Sequence, residues 1–147
     1  MSDLGTIAGA TSLAQALHAL WAANAALVAV VPADRAITGR VPPSEEMPYV
    51  RLSLADAGNK QRTNATLYQA QRVGFHLWTD TFDAGDAAAP LIQAAFASMA
   101  FNWGSGGVTD MRQEGTPATT QTTDPEIKAW ETTVTFTANT WQTRQDN

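Results

Sequence analysis

The sequence predicts an α+β fold: a single domain in which a mostly antiparallel sheet of four to five strands carries two helices, in the order α-β-β-β-α-β-β. Three observations lead there. Val73, Phe75 and Leu77 alternate with Arg72, Gly74, His76 and Trp78, the period of two that sends one set of side chains to each face of a sheet. Directly after this strand, Thr79-Asp80-Thr81 offers side-chain oxygens to the first N–H groups of a helix, and Leu91, Ile92, Ala95, Phe96 and Met99 then recur at helical spacing. Near the end of the chain, Trp130, Thr132, Val134, Phe136 and Ala138 alternate with Glu131, Thr133, Thr135, Thr137 and Asn139, a half-buried strand with a threonine ladder on its wet face.

Taken in order, residues 1–10 are small and polar and read as a loose arm. Thr11-Ser12 caps a first helix whose stripe is Leu13, Leu17, Leu20, Trp21, Leu27 and Val28, and Val30-Val31-Pro32 ends it because proline cannot continue a helix. A brief strand at 36–40 precedes a proline-rich, semi-rigid connection at 41–48. Tyr49 to Ala55 alternates as a half-buried strand. The polar segment 56–64 reads as a flexible hairpin loop carrying Lys60 and Arg62, before the long strand from about Leu67 to Trp78.

Pro90 leaves the start of the second helix ambiguous: in a first turn its missing N–H costs little, whereas further in it kinks the helix. The reading favoured is a short turn from Phe82 and then a main helix to about Phe101, closed by the glycines of 102–107. A strand at Val108–Glu114, a long polar loop at 115–125, the final strand Ile127–Trp141 and a polar tail at 142–147 complete the chain.

Composition narrows the function. A 147-residue chain buries about 70% of the surface its unfolded form exposes, so no disulfide scaffold is needed, and there is no cysteine for thiol catalysis or thiolate metal sites. Two histidines leave little for a metal centre, and His18 reads as a boundary residue of its helix. The N-terminus lacks the basic and apolar regions of a secretory signal, and no apolar run reaches the length of a membrane span. A formal net charge of −5 argues against generic nucleic-acid binding, which needs clustered Lys and Arg. The glycines of 104–107 lack the Lys-Ser/Thr of a phosphate loop, and no cofactor motif is present.

For catalysis the strongest arrangement is His76 with Asp80 as base and orienter, but no serine nucleophile stands in a recognisable elbow, so no catalytic residue is assigned. A carboxylate cluster such as Asp80, Asp83 and Asp86 at a helix N-terminus is most simply a capping arrangement that complements the helix dipole.

The chain resembles the tail terminator or tail-completion proteins of long-tailed bacteriophages and related gene transfer particles. The features that carry the likeness are an Ala/Leu-rich opening helix, Gly39-Arg40-Val41-Pro42, Met47-Pro48-Tyr49-Val50 entering a strand, Arg72 to Trp78 followed by an acidic and then alanine-rich helix, and the closing Trp130-Glu131-Thr132-Thr133-Val134-Thr135-Phe136. The resemblance spans residues 12 to about 141, through patterns of residue class and no catalytic signature.

It implies a structural virion protein at the head–tail junction, assembled in the host cytoplasm without cofactor or metal. Such subunits form a ring, usually hexameric, that caps the tail-tube protein, ends tube growth and meets the head connector or stopper while DNA passes through the lumen. The candidate contacts with the next subunit or the tube are Lys60 and Arg62, the acidic corner Asp80, Asp83 and Asp86, and the aromatic Trp141, on the opposite face from Trp130. A head-to-tail connector or stopper component is the nearest alternative, and a small-ligand module or enzyme using His76 and Asp80 is the alternative of a different class.

Overall fold

The structure is a computed structural model, and it describes residues 2–38, 46–122 and 129–143. Among the described residues, seven strands form one sheet in the order β1-β5-β6-β7-β4-β3-β2, with β1 at Ser2–Thr6, β2 at Ala36–Thr38, β3 at Tyr49–Arg62, β4 at Thr66–Thr79, β5 at Met99–Asn102, β6 at Gly106–Gln121 and β7 at Trp130–Thr143. The helices are α1 at Leu13–Ala23, α2 at Ala25–Val30 and α3 at Phe82–Phe96, with a 3-10 turn at Ala33–Arg35. The α+β class holds, with more strands than the four to five expected.

The centre of the sheet is as the alternation predicts. β4 pairs antiparallel with β3 on one side and β7 on the other, and the β4–β7 register runs unbroken from Thr66↔Thr143 to Thr79↔Trp130. Val50 and Leu52, Phe75 and Leu77, and Val134 and Phe136 therefore share one face, beneath the helices, where all are buried. Phe75 is the hub of this core. It stacks on Phe96 of α3 at 4.6 Å and on Trp21 of α1 at 6.0 Å, and meets Phe136 edge-on at 6.0 Å. Trp21 is buried at no polar cost because its indole N–H donates to the Val31 carbonyl at 2.9 Å.

Several expectations are corrected. The loose arm at 1–10 instead contains β1, which pairs parallel with β5. The first helix is broken at Asn24, whose side chain accepts from Ala26 and Leu27 N–H and so starts α2 while its own N–H closes α1. The brief strand at 36–40 is observed at Ala36–Thr38, and the connection around Gly39-Arg40-Val41-Pro42 lies outside the described residues.

The segment 56–64 is not a flexible loop: β3 continues to Arg62 through a bulge, where Asp56 to Lys60 oppose only Gln71 to Gln69. The polar loop at 115–125 is likewise strand as far as Gln121, again through a bulge, between Glu114 and Ala118. Polar, threonine-rich sequence hides such strands because, among the described residues, neither face carries a fully buried one, so the apolar alternation is missing.

The second helix starts at Phe82, which puts Pro90 well inside it, and it ends at Phe96 rather than at Phe101. Ser98 adopts φ 59°, and the chain turns into β5, so the glycines of 102–107 do not close the helix. The proposed beginning of the last strand at Ile127 lies outside the described residues, as do residues 144–147 of the polar tail, while Gln142 and Thr143 belong to β7.

Candidate functional site

The register divides the candidate residues between the two ends of the sheet. β4 begins at Thr66, beside the tip of the β3–β4 hairpin, and ends at Thr79, where α3 begins. Thirteen residue steps at about 3.4 Å put roughly 44 Å between those ends. Lys60 and Arg62 lie at the first end and Asp80, Asp83 and Asp86 at the second, so the structure does not bring the two groups together within one chain.

At the acidic end the cap is Thr81, not Asp80. Its Oγ1 accepts from the Ala84 N–H at 3.2 Å, and Thr79 Oγ1 donates to the Thr81 carbonyl at 2.8 Å. Asp83 lies in the first turn, where the helix dipole favours a negative charge, and all three aspartates are exposed. Phe82, 43% exposed, sits edge-on against Trp130 at 5.4 Å. α3 can press this closely on β7 because of Gly85: a Cβ there would fall 2.3 Å from Thr132 Oγ1.

At the other end, Thr63 Oγ1 accepts from the N–H groups of Ala65 and Thr66 and so folds the hairpin turn. Lys60 Nζ lies 3.6 Å from Asp56 Oδ2, and both side chains are largely exposed. Trp141 faces this end on the side of the sheet opposite Trp130, as expected from the unbroken register. It is half-buried, paired with Tyr68 on β4 and lying against Gly107 on β6, where a Cβ would come within 2.8 Å of the indole nitrogen.

The face away from the helices is a grid of aligned residues. Across β3, β4, β7 and β6 its rows run Tyr49, Trp78, Glu131, Thr120; then Arg51, His76, Thr133, Ala118; then Ser53, Gly74, Thr135, Glu114; then Ala55, Arg72, Thr137, Arg112. Tyr49 and Trp78 stack at 5.2 Å. Ser53 Oγ lies 3.0 Å from His76 Nε2, and His76 Nδ1 lies 3.8 Å from Glu131 Oε1. Burial pushes the His76 pKa below its ordinary value, as does the nearby Arg51 guanidinium, while Glu131 opposes both.

His76 and Asp80 therefore do not form a pair. Residues on this grid are individually legible as outward positions of alternating strands. Their grouping into rows was not, because cross-strand register is a non-local quantity.

The contacts of Ser53 and Glu131 with His76 resemble a nucleophile–base–orienter series, yet the neighbouring backbone N–H groups belong to a sheet, where the ladder engages them rather than leaving a donor pair to stabilise an oxyanion. Among the described residues, no three or more His, Cys, Asp or Glu come together to hold a metal ion, and no helix is long and apolar enough to cross a membrane. A shallow groove of about 410 Å³ beside α1 is lined largely by small residues, including Ala8, Gly9, Ala10 and Ala14.

Comparison with known proteins adds three findings. Residues 15–140 match the family described as tail completion protein gp17. A chain from a solved structure described as the virion of a native gene transfer agent particle superposes with a TM-score of 0.67 at 18% identity, covering 88% of this chain and 95% of that one. No curated protein matches the sequence.

Proposed function

The chain belongs to the tail completion protein gp17 family, and on that premise we propose that it assembles into a ring, six-membered in the simplest case, that caps the tail tube, ends its growth and joins it to the head. The observation that carries the reading is the family match over residues 15–140, a span that includes both ends of the sheet. The likeness of fold to a chain of a gene transfer agent virion supports a place in the particle.

The distribution of charge supports a head-to-tail contact between copies. A basic hairpin tip and an acidic helix start stand at opposite ends of one chain, so each copy offers unlike surfaces to its neighbours, as a ring closed by unlike contacts requires. On this reading Lys60 and Arg62 engage the next subunit or the tail-tube protein, and Asp80, Asp83 and Asp86 lie near a subunit contact. Trp141, half-buried beside Tyr68, contributes an aromatic anchor near the basic end. The role is structural and calls for no cofactor. The head-side partner is a connector or stopper protein, and DNA passes through a bore that a net-negative subunit does not make adhesive.

The test combines native mass with tail length. The unaltered protein should sediment as a closed oligomer and restore tails of uniform length when supplied to particles lacking it. The double variant Lys60→Glu, Arg62→Glu should shift the oligomer toward monomer at least tenfold in concentration and give overlong or headless tails. A protein that stays monomeric beside purified tube ends would overturn the reading.

A further inference from the structure

Two long strand edges are left without a neighbour among the described residues. β2 borders β3 only at Val50–Leu52, and β5 borders β6 only near its start, through Gly107 and Val108 and a bond from Ser98 N–H to the Met111 carbonyl. The remainder of β3, Leu54–Arg62, and the remainder of β6, Arg112–Gln121, each present outward N–H and C=O groups, broken in β6 only at Pro117, which has no N–H and sits within the bulge. These edges lie on opposite sides of the four-strand unit β6-β7-β4-β3, and toward opposite ends of it. We propose that the β3 edge of one copy pairs antiparallel with the β6 edge of the next, so that one continuous sheet runs through the assembled ring. This rests on the ring reading above and names the surfaces that close it.

Three features of the chain fit these edges to each other. The first is complementary cover. β2 blocks the part of β3 nearest α3, while β5 and β1 block the opposite end of β6, so a neighbour reaches both edges only when displaced along the strands. Strand direction agrees, because β3 and β6 of identically oriented copies run antiparallel.

The second is matched irregularity. β3 advances four residues from Asp56 to Lys60 against two of β4, and β6 advances four from Glu114 to Ala118 against two of β7. Each bulge contains a glycine at positive φ, Gly58 or Gly115, and each sits at the middle of its edge. Aligning the edges end to end brings the two bulges together. Bulges ordinarily protect an edge from indiscriminate pairing; a matched pair restricts pairing to a strand of the same shape.

The third is geometry. The β3 edge is centred at the level of Ala70 on β4, since Leu54 pairs with Val73 and Arg62 with Leu67. The β6 edge is centred five to six residues further along, between the levels of Arg72 and Thr79. That displacement, about 18 Å, acts over four strands spanning about 19 Å, so strands in a level ring tilt by about 45°, close to the roughly 35–45° at which closed barrels form. With the helices outside, the uncovered grid faces the bore, where Arg51, Arg72 and Arg112 are offset by Asp110, Glu114 and Glu131.

Because the chain has no cysteine, paired cysteines test this directly. Gln61→Cys with Glu114→Cys, and Ala55→Cys with Thr120→Cys, place exposed thiols on the same face of facing edges. Within one chain two intervening strands hold each pair at least about 14 Å apart, far beyond the roughly 7 Å that a disulfide spans. Mild oxidation of the assembled protein should convert most chains into a ladder from dimer to full ring on non-reducing gels, whereas Gln61→Cys with Ala23→Cys, on the far side of α1, should stay monomeric. In the unaltered protein, the outward-pointing amides within residues 54–62 and 112–121, Pro117 excepted, should exchange at least tenfold more slowly in the assembly than after dilution to monomer. A ring by native mass with neither ladder nor protection would overturn this pairing and leave the ring reading standing. A protein that is monomeric by native mass would overturn both.

Discussion

At the scale of single residues, His76 shows how the register changes what a side chain does. Its sequence neighbour Asp80 is four residues away, yet its contacts are Ser53 on β3 and Glu131 on β7. Burial, followed by Arg51, lowers its pKa in the folded protein below the ordinary value of 6.5. The unfolded chain therefore binds the proton more readily. The stabilisation is complete above the unfolded pKa and is lost as pH falls through it toward the folded value. Urea denaturation should give a stability that declines between pH 7 and pH 5 more steeply than that of His76→Asn, and equal slopes would refute the assignment. Thr81 makes a second residue-scale prediction. Thr81→Ala removes the hydrogen bond to the Ala84 N–H and should cost about 1 kcal/mol, while Asp80→Ala, which leaves that bond in place, should change stability by less than about half as much. The cap motif was legible from the sequence; which of its three residues would act was not, because that depends on the backbone angle at which β4 enters α3.

At the scale of elements, the junction of α3 with the sheet is set by a missing side chain. Gly85 is buried against Thr132, Thr79 and Thr119, and a methyl group there would meet Thr132 Oγ1 at 2.3 Å. Alanine favours a helix by about 1 kcal/mol over glycine, but overpacking a tight interface costs about 1–3 kcal/mol. Gly85→Ala should thus destabilise by about 1 kcal/mol in chemical denaturation, the opposite sign from its helix propensity. The strands with one buried face, such as 72–78 and 130–138, were legible because each alternates apolar and polar residues. The outer half of β6 was not. Glu114 to Gln121 has no fully buried residue, only Pro117 and Thr119 half-buried, so its strand character comes from pairing with β7, and a sequence reads it as a polar loop.

At the scale of the whole molecule, charge and strand edges make separable contributions to assembly. Lys60, Arg62 and the acidic corner lie at solvent, where a Debye length of about 8–10 Å at physiological salt screens whatever charged contacts each makes across the ring. Edge pairing uses main-chain hydrogen bonds and depends little on salt. Sedimentation velocity should therefore show slower association when salt rises from about 0.05 to 0.5 M, with the closed oligomer still present at high protein concentration; complete dissociation would assign assembly to charge alone. By itself the sequence determined the α+β class, the central strands β3, β4 and β7, the apolar core around Phe75 and the family resemblance, because each is written in local periodicity or in the order of elements. Only the tertiary structure decided that residues 2–6 form a strand, that His76 meets Glu131 rather than Asp80, that the charged groups stand at opposite ends, and that β3 and β6 keep open edges. Those properties are relations between segments up to a hundred residues apart. They are fixed by strand register and by which neighbour each strand acquires, and no local pattern of side chains encodes either.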